Sequence, residues 1–331
     1  MLRTSLLSLA SLIMILSSIW ALFALWFQAP GGIWGRIGLG GLWLLCLAGL
    51  LYWLWSSTSW WYGLLGYLAL FAVLGWWWAS IEPSNHRDWA DDLAHISTGE
   101  LDADQVRLDN VRNFDWRSQE DYDIRWESRD YDLSRLNSVD MITSNWGLAP
   151  ISHVLVSFGF DDGEHLVFSV EIRRERHETF SELGGFFKQF ELSIIAADER
   201  DIVRVRSNVR GEELGLYRIN LSPDDARELF RSFVLQSNQL AEHPRFYHTV
   251  TGNCTTIVFS MMKQIVNGLP LDYRLLLTGY LPAYVHEVGG MQPDLSLEEL
   301  QRRGRITQRA LDAGDDADFS ALIRQGVPGW E

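Results

Sequence analysis

The first 81 residues carry only two charged side chains, Arg3 and Arg36. A stretch so poor in charge cannot give a water-exposed domain its polar surface, and it divides into three apolar runs, Leu6–Phe27, Ile37–Trp55 and Trp60–Ile81. Each is about 20 residues long, enough to carry a helix across roughly 30 Å of hydrocarbon. The breaks, Gln28-Ala29-Pro30-Gly31-Gly32 and Ser56-Ser57-Thr58-Ser59, have turn composition. Eleven of the 16 tryptophans lie here, with Trp60-Trp61 and Trp76-Trp77-Trp78 at segment ends, where indoles favour the headgroup zone. A cleaved signal peptide would account for the first run but not for the other two. Residues 1–81 are therefore expected to be a three-helix membrane anchor; two spans and a re-entrant piece are the alternative.

All 43 acidic residues, and all but two of the 28 basic ones, follow Ile81, so the remainder carries a formal charge of −17. That excess argues against nucleic acid as a partner and against a domain held electrostatically on an anionic leaflet. Arg3 favours an inside N-terminus, although Arg36 nearly cancels the bias. Three spans from an inside start place residues 82–331 on the outer face of a bacterial inner membrane, periplasmic or extracellular. About 250 residues can bury an adequate core without disulfides, so two cysteines, Cys46 and Cys254, neither require nor exclude that compartment.

Residues 82–331 read as one α+β domain: a loop-rich entry segment 82–140, a core 141–268 and a C-terminal part 269–331. Gly184-Gly185 and Gly289-Gly290 are isolated turn signals. With no phosphate-binding glycine loop, zinc spacing or repeat, neither a cofactor nor a metal is expected. Strand candidates include Ile151–Phe160, about Glu164–Arg173, Leu192–Ile195, Ile202–Val205 and Gly215–Leu221. Ser222-Pro223-Asp224-Asp225 starts a helix reaching about Leu240, with a serine cap, proline at the first position and acids in the first turn. Short acidic helices are expected around Leu297–Arg303 and Phe319–Arg324.

Cys254 follows Thr251-Gly252-Asn253 and precedes Thr255-Thr256-Ile257-Val258-Phe259, which puts it at a helix N-terminus. Free amide hydrogens and the helix dipole stabilise a thiolate there. The amide of Cys254, with Asn253 or Thr255, is a candidate oxyanion donor, and pure helix capping is an equal role for Asn253. A small buried cysteine is the plainer reading.

In 151–160, Val154, Val156, Phe158 and Phe160 alternate with His153, Leu155, Ser157 and Gly159, so His153 leaves the face opposite the valines and phenylalanines. Asp161-Asp162-Gly163 suits a three-residue hairpin loop with Gly163 left-handed. Pairing Phe160 with Glu164 around that loop sets His153 opposite Glu171 on one face; a two-residue turn sends Glu171 to the other face. A carboxylate beside the imidazole orients it as a general base. Otherwise Ser169, Glu171 and Arg173 form a solvated face. His248 is the second candidate base, ahead of His243, His177 and His286. Phe180, Phe186, Phe187 and Phe190, around Gly184-Gly185, offer an apolar lip for a lipid chain, if they do not simply form core.

Several segments together resemble a known family. They are Glu82–Trp89, Val111–Arg117, Tyr131-Asp132-Leu133, Trp146 with Ser152-His153, Ala197–Asp201, Asn253–Thr256, Gly279–Pro282 and Ile323-Arg324. The combination resembles the bacterial family named for the N-terminal periplasmic domain of the lipoprotein N-acylation protein Lnb, over roughly Ile81–Pro328. The resemblance implies a permuted papain-like fold of the NlpC/P60 and lecithin:retinol-acyltransferase kind, with an antiparallel sheet and a nucleophile-bearing helix that follows the histidine strand. It implies Cys254 and His153 as nucleophile and base; Glu171 as carboxylate rests on the hairpin register. It also implies an acyltransferase moving an acyl chain from a lipoprotein glyceryl group to an amine, with membrane lipid or bacterial lipoprotein as partner. A cysteine amidohydrolase acting on cell-envelope peptide and a catalytically idle binding domain are the alternatives.

Overall fold

A computed structural model describes residues 2–330. The chain forms two compact units, one comprising Met1–Ser84 with Phe180–Phe190, the other Asn85–Thr179 with Glu191–Glu331. A division at residue 81 therefore leaves out one segment from far down the chain, Phe180–Phe190.

The first unit is built on three helices, α1 (Leu2–Gln28), α2 (Gly32–Ser56) and α3 (Trp61–Ser80), each long and apolar enough to cross a membrane. Gly31 and Gly32 take positive φ, 85° and 62°, in the first turn, a conformation that a side chain would strain. Tyr67 lies inside the bundle, and its hydroxyl meets Ser17 Oγ at 2.7 Å and Ser18 Oγ at 3.0 Å and donates to the Met14 carbonyl at 2.9 Å. A polar group in hydrocarbon has no water to turn to, so such partners hold helices together. A Cβ on Gly63 would come within 3.1 Å of the Leu50 carbonyl oxygen, so α2 and α3 approach closely there.

In the second unit the strands are β1 (Thr98–Asp102), β2 (Gln105–Arg112), β3 (Asp115–Trp116), β4 (Tyr122–Asp123), β5 (Trp126–Asp132), β6 (Leu136–Asn145), β7 (His153–Phe160), β8 (His165–Arg173), β9 (Glu191–Asp198) and β10 (Glu213–Arg218). Eight form one sheet in the order β1-β2-β9-β8-β7-β6-β10, with β5 also paired to β2. Its pairings are antiparallel except β2 beside β9, which run parallel at Arg112 and Ala197. The sheet is thus mixed, where an antiparallel one was expected.

The entry segment 82–140 is also not loop-rich, since it supplies β1 to β5 and the start of β6. Val106 and Leu108 point inward in β2 while charged neighbours Arg107 and Asp109 point out, and these charges mask the strand in a composition-based reading. Ile202–Val205 is not a strand. Asp198 caps α4 (Glu199–Arg204) by accepting from the Arg200 amide at 2.9 Å, and a π-helical turn, 205–209, follows. Four residues are too few for periodicity to separate strand from helix, and the cap decides.

Helices cover both faces of the sheet. On one, α5 (Pro223–Glu242) and α6 (Cys254–Ile265) pack over Val156, Phe158, Phe168, Val170 and Ile194. Phe168 stacks on Phe233 with ring centroids 4.8 Å apart. After α7 (Leu281–Glu287) and α8 (Leu297–Gly304), α9 (Thr307–Ala313) and α10 (Phe319–Arg324) close the other face over Ile142, Leu155, Val167 and Ile195. Alternation in β7 therefore separates two cores rather than core from solvent. The result is an α+β domain preceded by three apolar helices.

Candidate functional site

Cys254 is the first residue of α6. The Asn253 side-chain oxygen accepts from the amides of Thr255 (3.0 Å) and Thr256 (2.8 Å), and the Thr256 hydroxyl accepts from the Asn253 amide at 3.0 Å. This reciprocal capping box satisfies the donors that a helix start leaves open. Asn253 Nδ2 donates to the Thr249 carbonyl at 2.7 Å, so both ends of this amide are spent on local structure. Of its two expected roles, Asn253 occupies that of cap. The Thr255 amide is likewise committed, while its hydroxyl lies 3.8 Å from Cys254 Sγ.

β7 and β8 pair with Leu155 opposite Ser169 and Gly159 opposite His165, and Phe160 N donates to Glu164 O at 2.9 Å across the three-residue loop. Gly163 has φ 88°. Extending this register sets His153 opposite Glu171, the three-residue alternative of the sequence reading. His153 Nε2 is 3.1 Å from Glu171 Oε1 and 2.7 Å from Ser169 Oγ, and Ser169 donates to the same Glu171 oxygen at 2.7 Å. His153 opens β7, and its imidazole and the Cys254 thiol each influence the other's protonation.

Charge follows geometry. Burial is the largest influence and would lower the His153 pKa, as does the Arg206 charge, but the Glu171 charge and hydrogen bond together with the neighbouring Cys254 push it up to about 9. Burial would raise the Glu171 carboxyl, yet His153 and the Arg206 guanidinium hold it well below the ordinary carboxylate range. Burial also pushes the Cys254 thiol up; His153 outweighs this and brings it below its ordinary value, with smaller help from the Val154 backbone and Thr255. Net, the surroundings favour thiolate beside imidazolium. Tyr247 is raised by burial first and then by the Cys254 and Glu171 charges, so its phenol stays protonated near them.

Sequence reasoning missed Ser169 and Arg206. Ser169 was within reach, being two residues from Glu171 and so on its face. Arg206 was not: it donates to Glu171 at 2.9 Å from the π-helical turn, and its other nitrogen reaches Glu212 Oε2 at 3.3 Å. Arg173, expected on the Glu171 face, is drawn instead to the carbonyls of Leu93 and Ala94 and to Asn85.

The other histidines are engaged elsewhere. His248 Nδ1 accepts from the amides of Val250 (3.3 Å) and Thr251 (3.2 Å), which shapes its own loop. His286 meets the Leu295 carbonyl at 3.0 Å, His177 lies 3.8 Å from Glu175, and His243 ends α5. Among the expected apolar lip residues, Phe187 and Phe190 are buried, while Phe180 and Phe186 are exposed. A four-ring lip is therefore not formed, because two of the rings are packed inside their unit.

The start of β7 is pinned from behind. The Thr278 hydroxyl accepts from the Ser152 amide at 2.8 Å and donates to the Ser152 carbonyl. The Gly279 amide donates to Pro150 O at 3.0 Å, so tightly that a Cβ would fall 2.0 Å from the Ala149 oxygen. His153 follows this clasp directly.

Residues 122–279 match the family model of the Lnb N-terminal periplasmic domain, a shorter range than Ile81–Pro328. It includes His153, Ser169, Glu171, Arg206, Cys254 and Gly279. No curated protein and no solved structure matches the chain. Three apolar helices long enough to span, followed by a domain of a periplasmic family, make a multi-pass inner-membrane protein with that domain on the periplasmic side. Through residues 122–279, this chain contains an Lnb N-terminal periplasmic domain.

Proposed function

We propose that this protein is a membrane-anchored, thiol-dependent acyltransferase that takes an acyl chain from a glycerolipid ester onto Cys254 and passes it to an amine. The observation that carries the reading is His153 held 3.1 Å from Glu171, together with Cys254 as the first residue of α6. An idle domain would have no need to hold a buried thiol against a histidine whose pKa a carboxylate raises. The spanning helices and the family match favour a lipid or lipoprotein substrate over a soluble one.

In this mechanism the Cys254 thiolate attacks the ester carbonyl. The oxyanion that forms is stabilised by the Cys254 backbone amide at the start of α6, since the Asn253 side chain is occupied as cap. Nε2 of His153 faces Ser169 and Glu171, which leaves Nδ1 for the sulfur and the leaving oxygen. Imidazolium gives its proton to the departing glyceryl oxygen, a thioester remains, and the lyso product leaves. An amine then attacks the thioester, His153 takes up its proton, and collapse yields the amide and the free thiolate. Glu171, held by Arg206 and Ser169, keeps the imidazole oriented throughout.

The test is mass spectrometry of the intact protein after incubation with bacterial lipids and a diacylated lipoprotein. The native chain should gain a hydroxylamine-labile acyl mass on Cys254, and C254A should not. The same adduct on C254A, or none on the native chain, refutes the proposal; peptide cleavage without an adduct would point to an amidohydrolase.

A further inference from the structure

The segment Phe180–Phe190, which joins β8 to β9, belongs to the same compact unit as the three spanning helices. The Phe187 ring stacks on Phe23 and Phe27 of α1, with centroids 5.4 and 5.5 Å apart, and meets Trp78 of α3 edge-on at 6.3 Å. Gln28 Nε2, at the end of α1, donates to the carbonyls of Phe187 (3.0 Å) and Lys188 (2.7 Å). Lys188 Nζ donates to the carbonyls of Trp78 (2.8 Å) and Ile81 (3.1 Å), where the negative end of the α3 dipole welcomes a cation. The segment is thus held at the C-terminal ends of α1 and α3, which are also the ends nearer the periplasm.

These contacts set its depth. Phe23 lies five residues before Gln28, about 7.5 Å deeper at roughly 1.5 Å per residue, so a ring stacked on both Phe23 and Phe27 sits where acyl chains meet headgroups. A lysine beside a tryptophan at a helix end is the usual chemistry of that level. Phe180, Leu183 and Phe186 nevertheless stand 56 %, 53 % and 39 % exposed. Large apolar side chains left exposed at that depth have lipid as their natural surroundings.

We infer that Phe180–Phe190 is an interfacial membrane element, inserting Phe180, Leu183 and Phe186 into the headgroup–acyl boundary of the periplasmic leaflet. Its partner is the lipid surface in which α1 and α3 end, an occupant fixed by continuity with those helices. Lys188 and Gln28 clamp the element, and Phe187 is its inner anchor. The inference stands independently of chemistry at Cys254.

Spin labels on the full-length protein test it. In a background with Cys46 and Cys254 replaced by serine, F180C, L183C and F186C are labelled one at a time and reconstituted into phosphatidylethanolamine–phosphatidylglycerol vesicles. E120C, at an exposed position of the second unit, is the aqueous reference. At the three apolar positions, relaxation by oxygen relative to a water-soluble nickel chelate should exceed that at E120C several-fold. Ratios equal to the reference at all three positions, in protein of unchanged circular dichroism, overturn the inference.

Discussion

Cys254 and His153 titrate against one another, and that coupling gives a measurable signature. His153 is raised to about 9, so the stabilisation of its charged form is complete below its ordinary 6.5 and is lost as pH rises through about 9. Glu171 is lowered, so its contribution is present above the ordinary 4.5 and is lost as pH falls through its depressed value. Alkylation of Cys254 by iodoacetamide in C46S protein should therefore rise with a midpoint below the ordinary thiol value of 9.0. Glu171→Gln should shift that midpoint upward by removing the charge that sustains the imidazolium; an unmoved midpoint would detach Glu171 from the pair. Much of this was legible in the chain. A cysteine after Asn253 and a hairpin loop ending in Gly163 are local signals, and one register count joins His153 to Glu171. Arg206 was illegible because a π-helical turn breaks the periodicity that would have aimed it.

At the scale of elements, function depends on how firmly β7 begins. The clasp of Thr278 and Gly279 on Pro150 and Ser152 sits immediately before His153. Gly279→Ala has to push its Cβ away from a carbonyl oxygen 2.0 Å distant. It should cost about 1–3 kcal/mol, the usual range for overpacking, visible as a lower melting temperature. Because the displaced strand carries the imidazole, Cys254 alkylation should also lose its low-pH limb. The sequence displays Gly279-Tyr280-Leu281-Pro282 as a motif, but its reason is an approach of two backbones that composition cannot reveal. The strands of 82–140 were hidden for a related reason: their inward residues alternate with charges, and β2 finds its partners in β1 and β5 rather than in an apolar run.

At the scale of the whole molecule, a buried ionic cluster ties the C-terminal helix to the sheet. Arg324 of α10 donates to Glu199 at 2.6 and 2.8 Å and to Asp140 at 2.9 and 3.1 Å, while Ser157 and Trp330 complete the partners. Burial raises the Glu199 carboxyl, but Arg324 overrides this and brings it down to about 2. Its contribution is intact above 4.5 and disappears as pH falls through about 2. Glu199→Gln should cost about 3–5 kcal/mol, as when one partner of a buried pair is removed, and should flatten acid unfolding in that window. The motifs containing Glu199 and Arg324 thus mark construction rather than chemistry. The spanning helices, by contrast, were evident from composition, since hydrocarbon leaves a chain little choice. What composition could not foresee is that the chain passes between its two units three times, near residues 84, 179 and 190. A domain joined by one linker can be cut free or exchanged in evolution by a single splice. Here, trimming away the helices would strip Phe187 of its stacking partners, so no single cut frees the domain.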